Sequence, residues 1–90
     1  MSSDWRWEYD PDHAHVTGGI PAHVVAEVER LAGQLVDLAG MGVDIGTVGN
    51  GPRPGGLRRM DAAGGWFFFL VTPRDKLIVV VRIMPPFRSV

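Results

Sequence analysis

The sequence predicts an α+β domain: an N-terminal strand, one long helix that can break at an internal glycine, then a three-stranded antiparallel meander, with the helix packed on one sheet face. Three observations carry this prediction. One stretch, 21–39, repeats its apolar residues at three- and four-residue spacing. Two apolar runs in the last third, WFFFLV at 66–71 and LIVVVRIM at 77–84, are joined by a short charged turn. Between helix and runs lies a segment, 41–56, too rich in glycine and proline for regular structure.

The first strand is read from 5–9, where Trp5, Trp7 and Tyr9 alternate with Arg6 and Glu8. This alternation suits a half-buried strand with its aromatic side on the core. Asp10-Pro11-Asp12 ends it, because proline donates nothing to a ladder. The stretch from His13 to Gly19 reads as a connector.

Pro21 opens the helix, since a proline suits the first turn. Val24, Val25, Val28, Leu31, Ala32, Leu35, Leu38 and Ala39 make its apolar face, with Glu27, Glu29, Arg30, Gln34 and Asp37 largely opposite. Gly33 is the internal glycine, costing about 1 kcal/mol relative to alanine. Gly40 and Gly42 supply stops. The segment 41–56 is expected to be a flexible loop, with a short extended piece at 43–48.

A short basic strand at 57–61, a turn over Ala62-Ala63-Gly64-Gly65 and the two apolar runs complete the meander. Both runs are apolar on both sides. Phe67, Phe69 and Val71 share one face of the first run, and Trp66, Phe68 and Leu70 share the other. Strict alternation in the second run groups Leu77, Val79, Val81 and Ile83 against Ile78, Val80, Arg82 and Met84. Strands of this kind want cover on both faces, yet the chain offers one helix. The second face therefore calls for a partner.

Ninety residues make one domain, 1–90, and they bury only about 60–65% of the surface the unfolded chain exposes. No cysteine is present, so disulfides and thiolate metal sites are excluded. A net charge of −1 argues against strong non-specific nucleic-acid binding. The N-terminus lacks a basic stretch followed by an apolar one, and no run approaches the roughly 20 apolar residues of a membrane span. The expected setting is the cytoplasm, with no membrane partner.

Few residues invite chemistry. Asp10, Asp12, His13, His15 and His23 offer metal-ligand types, but at no recognised spacing, and no metal or cofactor is expected. The glycine-rich segment lacks the lysine and following Ser/Thr of a phosphate loop. Arg58 and Arg59 alternate across a strand, so only one can face a given site; an edge strand in solvent accounts for them without chemistry. Arg82 interrupts an apolar strand, where it needs an acid such as Glu8, Asp10 or Asp61, or a place in a partner interface.

Leu57-Arg58-Arg59-Met60 followed by Gly64-Gly65-Trp66-Phe67-Phe68-Phe69-Leu70-Val71, a charged turn at Arg74-Asp75-Lys76 and a valine-rich last strand resembles the RelE/ParE superfamily of type II toxin–antitoxin systems. The resemblance implies a strand, a helical hairpin and a curved meander. It also implies action by binding an antitoxin or a cellular target; some members cleave mRNA on the ribosome with basic residues. Arg58 and Arg59 match the family's basic strand; with Arg82, which sits on the last strand without a motif match, they are the candidate catalytic residues, and ribosome or RNA is a candidate partner. Where ribonuclease members place an arginine after the aromatic of the third strand, this chain has Phe67, and Arg88 is a loose counterpart of their C-terminal basic residue. The alternative is a homodimeric structural or regulatory module without chemistry, two sheets packed face to face.

Overall fold

A computed structural model describes residues 4–53 and 55–86; Arg88 lies outside them. Four strands form one mixed sheet in the order β1-β4-β3-β2. They are β1 (Arg6–Tyr9), β2 (Arg58–Ala62), β3 (Gly65–Thr72) and β4 (Leu77–Met84), with helices α1 (His13–Thr17) and α2 (Ala22–Gly40) between β1 and β2. β2, β3 and β4 pair antiparallel, as the sequence predicts. β1 runs parallel to β4, so the N-terminal strand lies beside the last strand of the chain.

Helix α2 forms where the apolar spacing places it. Val24, Val28, Ala32, Leu35 and Ala39 are its buried line. It runs unbroken through Gly33, where a Cβ would meet no atom within 4 Å. Gly33 is therefore neither a hinge nor a close-packing device. Against that helical line stand Phe67, Phe69 and Val71 of β3 with Ile78, Val80 and Ile83 of β4, all 7% exposed or less. Trp5, Trp7 and Tyr9 pack against the margin of this core. The Tyr9 hydroxyl donates to Glu29 of α2 at 3.0 Å. Burial first, and then this carboxylate, push the phenol above the usual tyrosine range.

Three expectations need correction. The connector after β1 holds α1, capped by Asp12, whose carboxylate accepts from the His15 backbone N–H at 2.8 Å. The 41–56 segment is tied at several points: Ile45–Thr47 is a 3₁₀ turn, not an extended piece, and Ile45 is buried in the core. Asn50 bridges Arg59 through both backbone groups, which covers part of the outer edge of β2.

The third correction concerns β4. Its pairing with β3 shifts register between Phe68 and Phe69: Phe69 faces Val80, but Phe68 faces Arg82. Val81 is thus an extra residue, a β-bulge. Before the bulge Ile78 and Val80 point to the helix, and after it Ile83 does, while Arg82 turns out to solvent. Strict alternation would have set Arg82 beside Ile78 and Val80 under the helix, where an unpaired charge is costly. One inserted residue removes that conflict.

Candidate functional site: the open sheet face

The two faces of the sheet differ in cover. On the face away from α2, Trp66, Phe68 and Leu70 of β3 lie beside Leu77, Val79 and Met84 of β4, all half-buried. None of them belongs to the core or packs against it. The sheet's own geometry places them together: Leu70 faces Val79, and Trp66 faces Met84. Charged residues rim this stripe. Here β1 contributes Arg6 and Glu8 at one rim, opposite Leu77 and Val79, and β2 contributes Arg59 and Asp61 at the other, opposite Phe68 and Trp66.

The turn between β2 and β3 sets the register of the open face. Ala63 and Gly64 both have positive φ, 52° and 84°, the pair of left-handed residues a tight two-residue hairpin needs. That turn fixes the register Asp61 to Trp66 and Arg59 to Phe68, and so sets which side chains meet on the open face.

The three candidate arginines divide between the faces. Arg59, Phe68 and Arg82 lie in one row across β2, β3 and β4. Two arginines therefore flank one aromatic ring, with strands about 4.8 Å apart. The Arg59 guanidinium sits over the Trp66 ring, 5.5 Å from its centroid. Among the described residues Arg82 forms no ion pair, although Glu8, Asp10 and Asp61 were its expected partners.

Arg58 is elsewhere. Its side chain points to the helix side and is 6% exposed, not in solvent as an edge-strand reading expects. Its guanidinium donates to four backbone carbonyls: Nε to Val48 at 3.0 Å, Nη1 to Arg53 at 3.1 Å, and Nη2 to Thr47 at 3.2 Å and Gly49 at 2.9 Å. No carboxylate partners it among the described residues. The fork of five donors matches a loop that turns its carbonyls inward, a task one lysine could not fill. Gly49 belongs to that loop with φ +77°, and a Cβ there would run into the Arg59 carbonyl. Arg58 thus fastens the glycine-rich segment onto β2, away from the open face.

The histidines and acids near the N-terminus do not assemble into a centre. Among the described residues no three His, Asp or Glu side chains gather at metal-binding distance. Asp12 is occupied by His15, whose Nδ1 lies 3.0 Å from its Oδ1; the His15 backbone N–H first, then the ring, hold that carboxylate below its usual range. Sequence reasoning missed this N-cap, although an aspartate directly before the first helical residue, His13, is the residue type that caps a helix. No described helix is long and apolar enough to cross a membrane. Compared with protein families, curated proteins and solved structures, the chain matches none.

Proposed function

We propose that this protein works by protein–protein contact through the open sheet face, as the toxin-like member of a type II toxin–antitoxin pair whose antitoxin lies on that face. The observation that carries the docking reading is the second apolar layer, Trp66, Phe68, Leu70, Leu77 and Val79, which no element of the chain covers among the described residues. Burying such a stripe yields roughly 25 cal/mol per Å² of apolar surface. The toxin reading is supported by the order of elements, a strand, a short and a long helix, then a three-stranded meander. If the protein also cleaves RNA, the work falls to Arg59 and Arg82, since Arg58 spends its donors on the loop.

Light scattering tests the proposal on the protein alone and co-expressed with the product of the adjacent gene. A tight complex lost on Phe68→Asp supports it. No complex, together with unaffected growth on overproduction, ends it. A second copy of the chain is the other occupant the face favours. Each rim carries one arginine and one carboxylate, Arg6 with Glu8 and Arg59 with Asp61, so a two-fold face-to-face pair can match opposite charges. A homodimer that forms without any partner and dissociates on Phe68→Asp selects that reading.

A further inference from the structure

The edge of β4 is only half used. β1 pairs with Leu77 to Val80 and no further. Its last link is the Asp10 N–H to the Val80 carbonyl at 3.1 Å, after which the chain turns at Pro11 into α1. The 81–84 half of β4 therefore has a strand on its β3 side and none on its β1 side among the described residues. Beside this free half-edge lies a cavity of about 380 Å³, between α1 and β4. That is within the size range of pockets that hold ligands. Val16, Ile20, Val81 and Ile83 give it apolar walls, His15 a polar ring and Arg82 a charge. His15 is already held by Asp12, whereas Arg82 has no acid. A free strand edge, apolar walls and one uncommitted guanidinium are complementary to a single kind of guest.

We infer that this half-edge takes an extended peptide segment of another protein, which continues the line of β1 along 81–84 and sets a carboxylate on Arg82. The guest backbone pairs with the free edge of β4, as in other strand additions. An apolar residue of the guest next to its acid, and so on the opposite side of the strand, lies against Val16 and Ile83 on the helix side. The carboxylate, in reach of a planar donor fork, adds a charge-assisted bond and fixes the register. This site borders the open face at Arg82, which flanks Phe68, but it lies at the edge of the sheet, and a ligand can fill it while Trp66, Phe68 and Leu70 stay uncovered.

The test is an NMR titration of the ¹⁵N-labelled protein with a blocked peptide of alternating Val and Thr that carries one central Asp. The same peptide with Lys in place of Asp serves as its counterpart. The expected result is amide shifts confined to 81–84, His15 and Ile20, with the Asp peptide binding about tenfold tighter than the Lys peptide. Arg82→Glu reverses that preference, and Arg82→Gln abolishes it. Arg74→Glu, a matched charge change in the turn at the other end of β4, leaves it intact. Three results would overturn the inference: no shift at millimolar peptide, shifts on Trp66, Phe68 and Leu70 instead, or an Asp preference that survives Arg82→Glu. Because Arg82 is exposed, these variants fold, and the amide spectrum of the free protein verifies it.

Discussion

The two faces of this sheet are nearly equal in sequence and unequal in structure. Phe67 and Phe69 are fully buried beneath α2, whereas Phe68, on the same strand, is half-buried on the side that no helix reaches. The same contrast repeats along β4, with Ile78 and Val80 inside and Leu77 and Val79 outside. Hydrophobicity alone therefore does not mark the core; a residue belongs to it only when a second layer lies opposite. In this chain α2 supplies one such layer, and the apolar surplus on the other face has none among the described residues.

The sharpest way to break this comparison is a pair of truncations one residue apart. Phe69→Ala removes a fully buried ring and is expected to cost about 3–5 kcal/mol, enough to unfold a marginal domain. Phe68→Ala is expected to cost about 1 kcal/mol in the protein alone, because water already reaches that ring. Urea denaturation measures both. Equal losses would mean that the open face is closed in solution, and a concentration-dependent midpoint for the unsubstituted protein would identify self-association as the cause.

A second pair sits on β2. Arg58→Ala leaves four carbonyls of the 47–53 loop without their donor, at a cost of about 2–3 kcal/mol. Arg58→Lys should recover little of it, since an ammonium cannot span the fork. Arg59→Ala loses only an exposed contact over Trp66, about 0.5–1 kcal/mol, while weakening capture of any partner on the open face. Denaturation and partner pull-down together separate the two arginines: one holds the loop, the other faces outward.

Much of this contrast is legible in the sequence, and the missing parts share a cause. The helix line from Val24 to Ala39 and the alternation in β3 follow from spacing, since each is a periodic signal several residues long. The role of Arg58 is not legible. Its partners are carbonyls five to eleven positions away, a chain feature that every residue carries and no residue type announces. The bulge at Val81 is hidden for a related reason: one extra residue in a uniformly apolar run leaves the composition unchanged and alters only its phase. Arg82 was the single clue, a charge in the wrong phase, and it pointed to a break in alternation as well as to a missing acid. The candidate site was half visible. The apolar surplus stands out in the residues of β3 and β4, but which side α2 would choose depends on registers that single-strand patterns do not contain.

Tyr9 offers the finest test, because it joins the covered face to the helix through one polar bond. Its ring packs edge-on against Trp7, with centroids 4.9 Å apart, and its hydroxyl donates to Glu29. The folded protein holds the phenolic proton more tightly than the unfolded chain does, since burial and the nearby carboxylate both disfavour the phenolate. The linked stability is therefore fully present below the unfolded pKa of about 10 and is lost as pH rises above it. Tyr9→Phe should cost about 1 kcal/mol at neutral pH, where the hydrogen bond is removed, and should flatten the alkaline fall in stability. Denaturation midpoints at pH 7, 9, 10 and 11 for both proteins measure the difference. If the two curves stay parallel above pH 10, the phenol is not sealed between β1 and α2, and the covered face is more open at its margin than the central pair Phe67 and Phe69 implies.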